Sequence, residues 1–303
     1  RFGTGLLGDH LSFSARLSKI ASEGYVDRAF SDLKSYFLDG TFKKGNTQIK
    51  ALVFGGEEIT GLSFFGLTAD RLADDRTFND DGLYLDTDEN VQFYDRQTDN
   101  YKQDHYQLHL TQQWGNNLKG NVSFHYTNSR GFFEQYIEGD PQFFNGDLSF
   151  YRLPSFEVNG ETIDRTDLIT RRHLNSDFYG TVFNMFFDNE NVEVVFGGAL
   201  NRYDGQQFGE VIAAQFAQLP SIPHKFYDNV TDKIDLNFYA KATHDLSDAF
   251  TVFADLQWRT IDYMANGSLF DPEGALNVTE NYSFINPKAG ITCRINDKNK
   301  WYV

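Results

Sequence analysis

Two stretches of the sequence place an arginine and several aromatic residues within seven positions. They are Arg130-Gly131-Phe132-Phe133-Glu134-Gln135-Tyr136 and Arg202-Tyr203-Asp204-Gly205-Gln206-Gln207-Phe208. Aromatic faces with a few polar anchors suit a bulky, partly aromatic ligand such as a metal chelate. The candidate ligand contacts are therefore Arg130, Phe132, Phe133, Tyr136, Arg202, Tyr203 and Phe208. The alternative is that these rings pack the interior of loops.

A second candidate for chemistry is the acidic run Asp86-Thr87-Asp88-Glu89-Asn90, which begins like a calcium-binding loop. Val91 stands where such a loop has its invariant glycine, so the match is partial. A calcium ion bound in this loop is one alternative, and a solvated acidic surface is the other. We expect no other cofactor.

Three histidines, His105, His109 and His125, have the same parity on neighbouring predicted strands. Two residues four apart on a strand lie about 13 Å apart, which is too far to share one metal ion directly. We therefore expect hydrogen-bonded or solvated histidines rather than a metal site.

The sequence contains no arrangement that predicts an enzyme. No Ser/His/Asp set and no isolated pair of carboxylates stands out from the general acidity, so we expect a protein without catalytic activity. A net charge of −16 argues against nucleic acid as a partner, because phosphate binding needs a basic surface. The single cysteine, Cys293, excludes an internal disulfide.

The elements that must position these residues are long strands. In Ile234–Asp262, apolar residues such as Leu236 and Phe238 alternate with polar ones, pass through a turn at 245–248, and alternate again to Trp258. Each strand has about a dozen residues, which is the length that a tilted strand needs to cross a bilayer. The pattern predicts a membrane-spanning hairpin, and the chain repeats it.

Eleven such strands are predicted, and the connections between them alternate in length. Short turns fall near positions 44, 116, 190, 246 and 297, whereas long connections fall at about 57–101, 130–173, 204–232 and 265–281. A meander with turns on one side and loops on the other is typical of outer-membrane barrels. No run of about 18 apolar residues is present, and a mean hydropathy of −0.49 excludes a bundle of spanning helices.

Several stretches resemble the barrel of the TonB-dependent outer-membrane receptors of Gram-negative bacteria. Asn286-Pro287-Lys288-Ala289-Gly290 after Tyr282-Ser283-Phe284 is similar to a strand of that family. Phe2-Gly3-Thr4-Gly5 resembles the entry to the barrel after the plug domain. Residues 94–108 are similar to a loop-to-strand join in one branch that takes up iron complexes.

The resemblance implies an all-β fold, in which residues 1–303 form part of a 22-stranded antiparallel transmembrane barrel. The plug domain and the C-terminal barrel strands would lie outside this segment. It also implies location in the outer membrane, contact with its lipid, uptake of a metal chelate such as a ferric siderophore, and coupling to the TonB energy complex through the missing N-terminal part. Two alternatives remain open: a passive porin or surface adhesin, and a soluble all-β carbohydrate-binding protein.

Overall fold

A computed structural model describes residues 1–139, 146–216, 223–268 and 274–303. These residues form one 12-stranded sheet, two separate hairpins and one helix of six residues. The elements in chain order are β1 (Phe2–Gly3), β2 (Leu11–Ser22), β3 (Ser31–Lys44), β4 (Thr47–Gly61), α1 (Ala69–Asp74), β5 (Leu83–Leu85), β6 (Val91–Phe93), β7 (Thr98–Trp114), β8 (Leu118–Ile137), β9 (Phe156–Val158), β10 (Glu161–Ile163), β11 (Leu168–Asp188), β12 (Val192–Ala214), β13 (His224–Asp245), β14 (Phe250–Ser268), β15 (Ala275–Asn296) and β16 (Asn299–Tyr302). Within the described ranges, no helix is long and apolar enough to cross a membrane.

The large sheet is an antiparallel meander. Its strand order is β1-β2-β3-β4-β7-β8-β11-β12-β13-β14-β15-β16, so each strand pairs with the next long strand in the chain. β1 and β16 lie at opposite edges, and the sheet is open, as part of a larger barrel would be. The eleven predicted strands are all present, and the twelfth is β1, in which Phe2 and Gly3 pair with Ala15 and Ser14.

The strand register gathers the apolar residues on one face of the sheet, which we call the apolar face. Leu108 lies between Ala51 and Phe124 on the neighbouring strands, and Leu200 lies beside Leu236. Large side chains of this face are exposed along the whole sheet, from Phe13, Leu38 and Ile49 through Leu108, Phe124 and Met185 to Leu200, Leu256 and Ile285. Because side chains alternate between faces, every second residue in this part of each strand lies on the exposed apolar face, as in a strand that faces lipid.

The opposite, polar face forms a hydrogen-bonded network between neighbouring strands. His105 contacts Thr127 at 2.9 Å and Gln103 at 3.0 Å. His109 and His125 likewise contact polar side chains, at Ser123 and Asn201. The prediction of hydrogen-bonded histidines is confirmed.

Tyrosine–aspartate pairs mark one border of the apolar face. The Tyr36 hydroxyl donates to Asp104 at 2.8 Å, and the Tyr126 hydroxyl donates to Asp177 at 2.8 Å. The Tyr179 hydroxyl donates to Asp204 at 3.1 Å. Tyrosine places its ring in apolar surroundings and its hydroxyl in water, so pairs of this kind are typical of the level at which a strand leaves a bilayer.

The two ends of the sheet differ, as predicted. Short turns at 45–46, 115–117, 189–191, 246–249 and 297–298 lie at one end, the turn end. The long connections lie at the other, the loop end. Their predicted bounds are wrong, because the strands continue further. The strands before them end at Gly61, Ile137, Ala214 and Ser268, and the strands after them begin at Thr98, Leu168, His224 and Ala275.

The error in these bounds has a physical cause. Beyond the tyrosine–aspartate pairs the sheet continues into water, where both of its faces carry polar residues. Gln206 still pairs with Val230, and Gln207 with Asn229, although no apolar alternation marks this part of the strands. Apolar alternation reports contact with lipid, whereas strand pairing depends on backbone hydrogen bonds.

The facing of Leu108 and Gln107 can be tested directly. We expect Leu108→Arg to impair membrane insertion, because a cation near the bilayer midplane on the lipid face costs about 2–4 kcal/mol. Gln107→Arg should be tolerated, since its side chain lies on the polar face beside His109. Heat-modifiable mobility on a gel would measure the folded fraction in membranes. Equal tolerance of both changes would contradict the assignment of faces.

Candidate functional site

A pocket of about 660 Å³ lies at the loop end. Two loops and two strand ends form it: loop A (residues 62–97), loop B (residues 146–167), the end of β8 and the start of β11. Its aromatic lining consists of Phe64, Phe65, Phe133, Tyr136, Phe150 and Tyr151. Its ionisable lining consists of Asp80, Asp81, Glu138 and Arg172.

Loop A is folded around two buried polar residues. The side-chain amide of Asn79 donates to the carbonyl oxygens of Asp27 at 2.9 Å and Leu62 at 2.8 Å. Its side-chain oxygen accepts the backbone N–H of Asp81 at 3.0 Å. Asp81, which is 2% exposed, accepts the backbone N–H of Phe64. These bonds bring Phe64 and Asp81 together at the pocket wall.

Burial raises the pKa of Asp81 above its ordinary value, and the hydrogen bonds from Phe64 and Gln97 oppose that rise. The folded loop therefore holds a proton on this carboxyl more tightly than the unfolded chain does. A buried carboxylate at the pocket wall is a candidate partner for a hydrogen-bond donor or a cation on a ligand.

A fully buried carboxylate attaches loop A to the strands. Glu134 of β8 is 0% exposed. It accepts hydrogen bonds from the Tyr94 hydroxyl at 2.6 Å and from Arg96 Nη2 at 3.3 Å, both on loop A. Arg171 Nε of β11 donates at 2.7 Å. Burial, followed by the hydrogen bond to Glu134, raises the pKa of Tyr94 to about 12, so the phenol stays a donor.

Loop B packs on the strands through an apolar cluster. Leu148, Tyr151 and Leu153 are buried against Leu168 of β11 and Val211 of β12. Phe226 and Tyr227 of β13 complete the cluster. Burial raises the pKa of Tyr151 to about 12. The cluster holds Phe150 and Tyr151 in the pocket lining, to which Phe64 and Phe133 also contribute.

The structure brings only two of the seven predicted contacts into this pocket. Phe133 packs edge-on against Phe64, with ring centroids 5.9 Å apart. Tyr136 donates its hydroxyl to Asp167 at 2.6 Å and lies 4.8 Å from the Tyr84 ring. Each of the two rings therefore contacts loop A.

The other five predicted contacts lie elsewhere. Arg130 and Arg202 are on the side of the apolar face, where they pair with Asp177 at 3.0 Å and Asp232 at 2.6 Å. Tyr203 is on the polar face, outside the pocket lining.

Phe132 and Phe208 lie on the same side as the two arginines. Both contact the His173 ring, which stacks on Phe208 at 4.3 Å. The seven residues therefore do not form one site, because adjacent strand residues are directed to opposite faces.

Most of the pocket residues were not among the contacts predicted from the sequence. Phe64-Phe65 and Phe150-Tyr151 are adjacent aromatic pairs in segments without alternation, and such pairs were an available signal. Nothing in the sequence distinguishes Arg172 from the adjacent Arg171. Only the fold shows that Arg171 binds Glu134 while Arg172 lines the pocket.

The acidic run at 86–90 is a turn closed by its own hydrogen bonds. Asp86 accepts the backbone N–H groups of Asp88 at 3.0 Å and Asn90 at 2.9 Å, and Gln92 Nε2 donates to it at 3.1 Å. Among the described residues, no group of three or more His, Cys, Asp or Glu side chains could hold a metal ion. Calcium binding in this run stays a prediction.

No family model matches the chain, and no curated protein matches its sequence. Solved structures share its fold. One is the ferric-catecholate import receptor Fiu from E. coli K12 in its open form, with a TM-score of 0.61 and 12% identity over 98% of this chain and 50% of that chain. Another is the ferric yersiniabactin uptake receptor FyuA from Yersinia pestis, with a TM-score of 0.61 and 11% identity over 99% of this chain and 42% of that chain. A third is the ferric citrate transporter FecA in its unliganded form, with a TM-score of 0.63 and 11% identity over 97% of this chain and 38% of that chain.

These comparisons confirm the predicted fold, which is that of part of the barrel of TonB-dependent receptors. The chain spans half or less of the length of each of the three solved structures.

The role of Glu134 predicts how loop A responds to its loss. Glu134→Ala leaves Arg171 without its buried partner and frees Tyr94 and Arg96, so we expect local opening of loop A to become easier by about 2 kcal/mol or more. Hydrogen exchange of loop A amides should then be about 30-fold faster or more. Glu193→Ala, at an exposed position near the turn end, is the matched control. Unchanged protection of loop A would contradict the anchoring role.

Because the pKa of Asp81 is raised, replacing it with the neutral asparagine should stabilise loop A to an extent that depends on pH. The contribution of Asp81 to loop stability is greatest below its ordinary pKa, falls as the pH rises toward the raised folded-state pKa, and is constant above it. Asp81→Asn should therefore stabilise loop A at neutral pH and have little effect near pH 4. Exchange rates corrected for intrinsic pH dependence would measure the difference. A gain that grows toward acid pH would contradict this account.

Proposed function

We propose that this chain is part of the barrel of a TonB-dependent outer-membrane importer, which binds a metal chelate such as a ferric siderophore and takes it up. Contact with outer-membrane lipid is through the apolar face, and energy is supplied by the TonB complex. The protein acts as a transport receptor rather than as an enzyme.

The observation that carries this proposal is the aromatic pocket at the loop end. Its volume of about 660 Å³ suits a small molecule, and rings from three separate segments converge on it. It lies beyond the tyrosine–aspartate pairs, on the water side of the bilayer, where a cargo molecule would arrive first. Solved structures with the same fold include receptors and transporters for iron complexes and a copper transporter.

The proposal is tested by uptake of ⁵⁵Fe-loaded chelates into cells that express the natural full-length protein. We expect saturable uptake that stops when the inner-membrane proton gradient is collapsed. Uptake that persists without this energy source, and that rises linearly with concentration, would indicate a passive porin instead. No uptake of any chelate, together with retention of sugars on an affinity column by detergent-free protein, would indicate a carbohydrate-binding protein.

Two phenylalanine variants connect the pocket with uptake. Phe133→Ala removes a ring from the pocket wall, so we expect an affinity for the chelate at least tenfold lower. Phe253→Ala removes a ring that, like Phe133, lies on the polar-face side of its strand, but near the turn end. This change should leave the affinity unchanged. Titration of the purified receptor with a chelate would measure both constants. An equal loss in the two variants would argue against this pocket as the binding site.

A further inference from the structure

The acidity of the chain is concentrated at the loop end. The segments between strands there, residues 23–30, 62–97, 138–167, 215–223 and 269–274, contain 20 acidic and 6 basic residues, a net charge of −14 against −16 for the whole chain. Loop A alone contains nine acidic residues and three arginines. A ligand approaching the pocket therefore enters a strongly negative field.

The arginines near the pocket are used to hold the loops. Arg96 contacts the buried Glu134, and Arg71 lies over the Phe78 ring at 4.4 Å. Arg28 lies over the Phe93 ring at 3.5 Å and donates to the Asn79 carbonyl oxygen. These guanidinium groups stabilise loop A and are absent from the pocket lining.

The pocket lining itself is more acidic than basic. Among the described residues that line it, three are acidic, Asp80, Asp81 and Glu138, and one is cationic, Arg172. The Arg172 guanidinium lies 5.7 Å from the centre of the Phe133 ring. The segments 140–145, 217–222 and 269–273 contain no lysine or arginine in the sequence. Proteins that bind polyanions present clusters of arginine or lysine, and the described residues of this lining include no such cluster.

The aromatic lining favours the opposite kind of ligand. Phe64, Phe133 and Phe150 offer ring faces and edges to apolar groups, and the faces of such rings attract cations. The exposed carboxylate of Asp80, which also lines the pocket, can accept hydrogen bonds from an ammonium or amide group.

From the charge and the aromatic lining together, we infer that the pocket takes a neutral or cationic metal chelate with an apolar exterior and discriminates against polyanionic chelates. This inference rests on the proposed function, since it concerns the charge class of the cargo at the same pocket. The acidic loops repel a polyanion during approach, and Arg172, the one cationic side chain among the described lining residues, cannot neutralise three negative charges.

The experiment compares three ferric chelates of different charge on the natural full-length receptor in detergent. The probes are a ferric trihydroxamate without net charge, a ferric trihydroxamate with a pendant ammonium group, and a ferric tricatecholate with three negative charges. Fluorescence titration at low and at moderate ionic strength would give the dissociation constants. We expect the first two chelates to bind at least tenfold more tightly than the third, and added salt to weaken binding of the cationic one.

Neutralising the pocket acids should change this order. The double variant Asp80→Asn, Glu138→Gln should bind the tricatecholate several-fold more tightly than the unchanged protein, whereas Glu190→Gln at the turn end should not. Circular dichroism would confirm that each variant is folded.

The outcomes separate the two proposals. Tightest binding of the tricatecholate in the unchanged protein would overturn the inference and leave the proposed function standing. Binding of none of the three chelates, with no cellular uptake of iron, would overturn both.

Discussion

The structure depends on a two-residue alternation that is kept in register from strand to strand. On the apolar face this register places apolar residues side by side, as Leu108 lies between Ala51 and Phe124 and Leu200 lies beside Leu236. A slip of one residue in any strand would turn its whole apolar set toward the polar face. The same register aligns the polar groups, so that His105 meets Thr127 and His109 meets Ser123. Lipid contact and internal hydrogen bonding are therefore satisfied by one arrangement.

Above the bilayer, a different kind of interaction organises the chain. Loop A is attached through buried polar groups, with Glu134 bonded to Tyr94, Arg96 and Arg171, and has few buried apolar side chains. Loop B is attached through an apolar cluster around Tyr151. Buried charge fixes geometry because each donor has one suitable acceptor, whereas apolar contacts tolerate sliding. The pocket lies between one loop of each kind.

The sequence predicted the sheet much better than it predicted the site. The alternation in segments such as 236–258 can be read from the sequence alone, because every residue that faces lipid meets the same apolar surroundings. The pocket residues come from positions as distant in sequence as Phe64 and Arg172, and nothing local connects them. Adjacent residues were also separated, since Phe133 lines the pocket while Phe132 packs on His173. Such pairings depend on tertiary contacts and on parity beyond the membrane, where the apolar pattern has ended.

The tyrosine–aspartate pairs have a consequence for how the wall sits in its bilayer. In each pair, the tyrosine ring favours apolar surroundings, whereas the carboxylate that accepts the hydrogen bond from its hydroxyl requires water. The tyrosines are Tyr36, Tyr126 and Tyr179. Sinking by one residue would draw Asp104, Asp177 and Asp204 toward the acyl chains, and rising would lift the phenols out of the headgroup layer. The pairs would therefore fix the depth of the sheet in a bilayer, because displacement along the membrane normal is unfavourable in both directions.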